Sequence, residues 1–297
     1  MSNNSSSPSA DKTRQTLSAQ RTGRGRVYLV RTVITGLVIY AAIIGAMALL
    51  ETRLVYPGAF TAIKIPANGM VTEQIEYTTS DGHRLKGRLL KRKDCSNYLL
   101  FMHGNFSKAQ QLDSWAEKLS VAFDATVLLA EYRGYEDNLN PTEAGLILDC
   151  EAARRYLRET YGTNNKDIIL YGRSLGGGCA VALAANDGAK ALILERTFDE
   201  LVGIASRQYP WLPVRLIMQS QFDSIGKINN YDGPIVIIHG TTDRLIPIDC
   251  ARRLHNTVEH EEKLLIEVSG LGHNGNLPEQ CLQQTVAAFE SFNSDPR

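Results

Sequence analysis

Ile168-Ile169-Leu170-Tyr171-Gly172-Arg173-Ser174-Leu175-Gly176-Gly177-Gly178-Cys179-Ala180-Val181-Ala182-Leu183-Ala184 is the stretch that decides how the chain is read. An apolar run of strand length leads without a break into G-x-S-x-G and then into an Ala-rich helical stretch, the context that a nucleophile elbow requires. In such a turn Ser174 is forced into a strained backbone conformation, and only small neighbours, here Gly172 and Gly176, leave room for it. Its hydroxyl is expected to stand exposed above the sheet, at the positive end of the following helix. As a bare pattern G-x-S-x-G often marks an ordinary Gly-rich turn. The flanking strand and helix set this one apart.

A serine hydroxyl is a poor nucleophile at neutral pH and needs a histidine base oriented by a carboxylate. The strand–turn–helix arrangement supplies them in the order Ser, acid, His. Downstream, Ile235-Val236-Ile237-Ile238-His239 runs into Gly240-Thr241-Thr242-Asp243, which puts Asp243 in a loop at the carboxyl edge of a sheet, where ligands gather in open α/β folds. The last strand candidate leads into Ser269-Gly270-Leu271-Gly272-His273-Asn274, whose glycines let the loop carry His273 back toward Ser174. Asp223 and Asp232 precede the strand instead of following it and read as solvated carboxylates. His83, His255 and His260 read as surface groups, and His239 reads as a packed strand end.

The third signal is Tyr98-Leu99-Leu100-Phe101-Met102-His103-Gly104-Asn105-Phe106-Ser107. After this early strand the His-Gly turn can aim the amide of Asn105 or Phe106 at a developing oxyanion, joined by the amide of Leu175. Asn105-Phe106-Ser107 is also an N-glycosylation sequon, and a glycan there would block the mouth of such a site.

Strand-length apolar runs alternate with amphipathic stretches from residue 71 onward. The strand candidates are Val71 to Thr78, Arg84 to Lys91, Tyr98 to His103, Thr126 to Glu131, Asp167 to Tyr171, Ala191 to Glu195, Ile235 to His239 and Lys263 to Val268. Pro141 to Glu159 and Ile248 to His255 carry helical patterns, the first opened by Pro141. Two leading hairpin-like strands followed by β–α alternation predict an α/β fold, a mostly parallel sheet with helices on both faces. Between Glu195 and Ile235 lies only a short insertion containing Tyr209 to Met218, too short for a large cap. It reads as a border of an acyl pocket or as a surface helix packed on the core.

Of 297 residues, 43% are hydrophobic and 22% charged, ordinary for a chain able to build a large core. Lys plus Arg equals Asp plus Glu at 32 each, so no overall field favours nucleic acid. The five cysteines (Cys95, Cys150, Cys179, Cys250, Cys281) show no C-x-x-C pair and no histidine spacing for a metal, and read as isolated thiols.

Residues 1–26 are polar and basic and are expected to form a disordered tail. Val33 to Leu50 contains no charge over about 18 residues, roughly 27 Å of helix, so a transmembrane anchor is expected over 27–50, with Arg31 snorkelling. A buried core helix and a signal peptide cleaved near Ala48 are the alternatives. Lys12, Arg14, Arg21, Arg24, Arg26 and Arg31 precede the apolar run against a single Asp11, which predicts a cytoplasmic N-terminus and a periplasmic or lumenal catalytic domain. A linker over 51–70 and a catalytic domain over 71–297 complete the expected organisation.

Taken together, His103-Gly104-Asn105, Glu131-Tyr132-Arg133-Gly134-Tyr135, Gly172-Arg173-Ser174-Leu175-Gly176-Gly177, Phe222-Asp223-Ser224 with Lys227-Ile228, His239-Gly240-Thr241 through Asp243 and Pro247, and Gly272-His273-Asn274 resemble the membrane-associated Bem-type α/β-hydrolases and the related hydrolases that remove palmitate from proteins. The resemblance covers about Tyr56 to Gly275. It implies an α/β-hydrolase fold and a serine hydrolase, with Ser174, Asp243 and His273 on the family's triad positions. Glu131 and Glu136 stand where the family usually has Asp and Gly. The depalmitoylating members carry a cysteine-rich, lipidated N-terminus, whereas the first cysteine here is Cys95, so the transmembrane form of the family is the closer match. The expected reaction is hydrolysis of an acyl ester or thioester, with no metal or organic cofactor required. A peptidase of the same fold and a non-catalytic membrane-bound interaction protein are the competing readings.

Overall fold

The computed structural model describes residues 9–62 and 71–294. The chain divides into two units, residues 1–50 and 51–297. The first unit is the greater part of helix α1 (Ser9–Val55). From Arg26 to Val55 this helix is long and apolar enough to cross a membrane, and its most apolar stretch is not buried at all, as the exposure of Ile34, Leu37 and Val38 illustrates. A soluble core helix would bury these side chains, so the core-helix alternative is not what the structure presents.

Helical structure begins at Ser9, where the sequence reading expects a disordered tail; residues 1–8 lie outside the described part. The physical reason lies in helix–coil statistics. Once the apolar segment has formed a nucleus, each flanking Ala, Lys, Arg, Gln or Leu adds a hydrogen bond at little cost. The expected linker also differs. Helix continues through Val55, a single 3₁₀ turn follows at Pro57–Phe60, and Val55 and Tyr56 are buried in the core of the second unit. The remaining linker positions, 63–70, lie outside the described residues.

In the second unit eight strands form one sheet in the order β1-β2-β4-β3-β5-β6-β7-β8. They are β1 (Glu73–Thr78), β2 (Arg84–Leu90), β3 (Asn97–Met102), β4 (Ala125–Leu129), β5 (Ile168–Arg173), β6 (Ala191–Glu195), β7 (Ile235–Gly240) and β8 (Lys263–Val268). β1 pairs antiparallel with β2 and β2 with β4, and the other pairings are parallel. The central strands are Val/Ile/Leu-rich because both faces are covered. Leu100, Leu128, Leu170, Leu192 and Ile237 join one core with helices α3 (Glu143–Tyr161), α4 (Leu175–Asp187) and α7 (Ile248–Thr257). Their neighbours Leu99, Val127, Ile169, Ile193 and Val236 join the opposite core with α2 (Asp113–Ala122) and α8 (Glu279–Ser294). The period-2 alternation of strand side chains divides one continuous apolar run between two cores.

Local signals set the helix ends. Thr142, one residue after Pro141, caps α3 by accepting from the Gly145 amide, and Gly162 closes the helix at φ 63°. The insertion after β6 holds α5 (Leu201–Gln208), the single turn α6 (Val214–Ile217) and a 3₁₀ turn at Ile228–Asn230. Leu212 and Val214 are buried there, while Trp211 and Leu216 remain exposed. All five cysteines are free, and four are buried.

Candidate active site

One residue separates β5 from α4, and that residue is Ser174, at φ 52° and ψ −116°. The reversal is tight enough that both flanking glycines are required by contact. A Cβ on Gly172 would lie 2.5 Å from the Gly176 carbonyl oxygen, and one on Gly176 would lie 2.1 Å from that of Met102 in β3. The turn is pinned by the β6 end, since the Ser174 amide donates to the Glu195 carbonyl at 2.9 Å and the Thr197 hydroxyl donates to the Ser174 carbonyl at 2.7 Å. Ser174 is only 8% exposed, so its hydroxyl does not stand clear of the protein as the sequence reading expects. His273 and Gly104 pack against it.

Ser174 Oγ lies 3.2 Å from His273 Nε2, and His273 Nδ1 lies 2.7 Å from Asp243 Oδ2. A carboxylate can only accept, so Nδ1 carries the proton and Nε2 is left as an acceptor facing the serine. Asp243 follows β7 and His273 follows β8, so both arise at the sheet edge where β5 delivers the serine. The second oxygen of Asp243 accepts from the amides of Leu245 (3.0 Å) and Ile246 (2.9 Å), which fixes the carboxylate plane. Burial pushes the Asp243 carboxyl up, but the hydrogen bonds from His273 and the Ile246 amide outweigh it and hold the group below the usual aspartate value.

The expected oxyanion donors are Asn105, Phe106 and Leu175. Gly104 packs against Ser174, where a Cβ would sit 3.5 Å from Ser174 Cβ and 4.0 Å from its Oγ. Asn105 and Phe106 follow in the chain, with the Phe106 side chain exposed. Leu175 opens α4, so its amide is one of the first-turn donors that a helix leaves without an internal partner. The loop holding Asn105 is tied down. The Asn105 carbonyl accepts from the Gly58 amide (3.0 Å) and the Tyr135 hydroxyl (2.9 Å), and its side-chain nitrogen donates to the Val55 carbonyl at 2.9 Å. That nitrogen is where a glycan would attach, and it is already engaged.

Several supporting residues are not picked out by sequence reasoning. His103 Nε2 lies 3.0 Å from Glu131 Oε1, and the other carboxylate oxygen accepts from the Ala109 amide, so a buried pair fixes the turn ahead of Gly104. The E-Y-R-G-Y segment contains that glutamate, but nothing in its spacing says that it meets His103. His239, read as packed, is fully buried; it donates from Nε2 to the Ile246 carbonyl (2.8 Å) and passes 3.6 Å from Asp243 Oδ2. It therefore braces the acid's loop. Burial, only partly offset by that hydrogen bond and by Asp243, pushes the His239 pKa down and keeps the ring neutral. The competing acids Asp223 and Asp232 are exposed, as expected of solvated carboxylates.

An uncharacterized protein of Mycobacterium tuberculosis is 33% identical to this chain over 235 residues, spanning 75% of this chain and 80% of that one. Alpha/beta hydrolase domain-containing protein 17B of Homo sapiens is 32% identical over 199 residues, 66% of this chain and 67% of that protein. Protein bem46 of Schizosaccharomyces pombe is 30% identical over 214 residues, 66% of this chain and 71% of that one. No protein-family model matches the chain. Among solved structures, an esterase of Pyrococcus furiosus superposes with a TM-score of 0.61 at 17% identity, over 78% of this chain and 97% of that one. The α/β-hydrolase GrgF of Penicillium superposes with a TM-score of 0.60 at 18% identity, over 74% and 98%. At these identities the structural matches speak for the fold.

Proposed function

This chain belongs to the α/β-hydrolase family, in the group that includes protein bem46 and α/β-hydrolase domain-containing protein 17B, and from that premise we propose that it is a serine hydrolase cleaving an acyl ester or thioester. The observation that carries the reading is the continuous hydrogen-bonded series from Ser174 Oγ through His273 to Asp243, assembled from three separate loops.

In the proposed cycle Ser174 Oγ attacks the acyl carbonyl carbon while its proton passes to His273 Nε2. Asp243 stays ionised, holds the imidazole in the tautomer with Nδ1 protonated and stabilises the imidazolium that forms. The amides of Leu175 and of Asn105 or Phe106 receive the negative charge that develops on the carbonyl oxygen, a contribution of about a hundredfold or more per donor. Collapse of the tetrahedral intermediate breaks the bond to the leaving oxygen or sulfur, which takes the proton from His273. Water then attacks the acyl-enzyme with His273 again as base, and the acid is released with Ser174 restored. The short insertion, with Leu212 and Val214 buried and Trp211 and Leu216 exposed, offers an apolar border suited to an acyl chain. The apolar helix acts as an uncleaved anchor with a cytoplasmic N-terminus, and the catalytic domain is periplasmic or lumenal.

The test is a fluorophosphonate probe on the full-length protein, followed by acyl esters and thioesters of graded chain length. Wild type should label and turn over, and Ser174→Ala should do neither while remaining folded. Full labelling of the folded alanine variant would place the nucleophile elsewhere.

A further inference from the structure

The carboxyl end of β6 carries Glu195, Arg196 and Thr197, and each of them reaches the proposed catalytic apparatus. Glu195 and Thr197 hold the Ser174 backbone from both sides through the hydrogen bonds described above. Arg196, between them, turns toward the base. Its Nη1 donates to the carbonyls of Gly275 (2.6 Å) and Gly272 (3.3 Å), which bracket His273 in the chain. Its Nη2 is hydrogen-bonded to the carboxylate of Glu195, a fully buried group that also accepts from the Tyr171 hydroxyl (2.8 Å) and from Arg173 (3.0 Å). Arg196 is itself 3% exposed, and its φ of 49° is a left-handed value that a residue with a side chain holds only when its surroundings impose it.

We propose that Arg196 is a positioning residue for the base, a clamp that keeps the 272–275 turn in the one conformation in which His273 meets both Asp243 and Ser174. The inference rests on the reading of His273 as general base. The turn needs such a clamp because Gly272 and Gly275 give it backbone freedom, and Gly270, just before it, sits at φ 71°. Arginine suits the place because its planar fork reaches two carbonyls and one carboxylate at once, which a lysine ammonium on a flexible stem cannot. Shortening Arg196 leaves Glu195 Oε2 bonded to Arg173 and Tyr171, and the Ser174 amide is held by the Glu195 main-chain carbonyl, so the clamp can be removed with that backbone support in place. By joining residue 196 to residues 195 and 197, the β6 end sets nucleophile and base against one rigid segment.

The experiment compares full-length wild type, Arg196→Ala, Arg196→Lys and His273→Ala in detergent, measuring kcat, KM, fluorophosphonate labelling rate and thermal midpoint, with and without methylguanidinium. Arg196→Ala is expected to lose kcat by about a hundredfold with KM little changed, because a misaligned base affects the transition state and not substrate binding. Labelling should slow in parallel, and methylguanidinium filling the vacated space should restore part of both. Arg196→Lys should be folded and intermediate in rate. The proposal is overturned if folded Arg196→Ala, or Arg196→Lys where the alanine variant does not fold, keeps wild-type kcat and labelling while His273→Ala is inactive. Loss of rate that follows loss of folded protein and is not restored by methylguanidinium would also overturn it. Wild-type turnover in His273→Ala would instead remove the base assignment, and the clamp with it.

Discussion

At position 174 a residue bearing a Cβ holds φ 52°, a conformation costing about 1–3 kcal/mol that the surrounding hydrogen bonds to Glu195 and Thr197 impose. Ser174→Gly relieves this strain and Ser174→Ala does not. The glycine variant should therefore unfold later than the alanine variant by roughly 1 kcal/mol, after the greater backbone entropy of glycine is subtracted, although neither turns over. Parallel denaturant melts check this, and a less stable glycine variant would contradict it. The two histidines nearest Asp243 separate in the same way. His273→Ala should lower kcat by about a thousandfold or more and change the melt less than His239→Ala, because that ring is partly exposed. His239 is fully buried and braces the Ile246 carbonyl, so His239→Ala should cost about 2–4 kcal/mol of stability and retain measurable turnover per folded molecule. An exchange of these two phenotypes in the kinetics and melts would mean that the base had been misassigned.

Among elements, the β5–α4 junction is a place of close backbone approach. Helix α4 comes so near β3 that Gly176 has no room for a methyl group against Met102, whereas a Cβ on Gly272 would meet nothing within 4 Å. Gly176→Ala is thus expected to destabilise the fold by about 3 kcal/mol or more, and Gly272→Ala to change stability by less than about 1 kcal/mol. Chemical denaturation of both variants tests the contrast, and equal stabilities would refute it. The elements themselves were legible to within a residue or two at most ends, because the inner strands are apolar runs and β1 and β2 alternate polar with apolar residues, all bounded by turn residues. The stability of the α1 extension was not, since a polar stretch read alone lacks the nucleus that its apolar neighbour supplies. The joining of Glu131 to His103 and of Arg196 to the 272–275 turn was also illegible, because these partners lie far apart in the chain and meet only when parallel strands align their carboxyl ends.

For the molecule as a whole, two predictions concern the region around residue 50. Tyr56 is 1% exposed with its hydroxyl 3.0 Å from Ser220 Oγ, Glu51 accepts from the Gln219 and Ser220 amides, and Gly58 donates to Asn105. A chain starting at Glu51 should therefore fold and label with fluorophosphonate, and one starting at residue 61 should be less stable and label more slowly. Equal melts and labelling in the two would show this segment to be dispensable. The second prediction follows from charge and length. Six basic residues before an uncharged run oppose translocation of the N-terminus, so protease added to spheroplasts should digest a periplasmic domain, and a lumenal domain should be protected in sealed microsomes. The opposite pattern, or release of a soluble domain cut near Ala48, would refute the anchored topology without touching the catalytic assignments.

The sequence by itself determined the α/β class and the sheet-and-helix alternation. It also singled out Ser174, Asp243 and His273, because these depend on local periodicity, on turn chemistry and on the order in which strands end. Only the tertiary structure decided how far Ser174 is covered, what holds Asp243 and His273 in place, and that Val55 at the helix end and Tyr56 after it are part of the second unit's core. Such contacts are fixed by strand order and by the packing of loops at one sheet edge, and residues brought together from opposite ends of the chain leave no periodic trace in it.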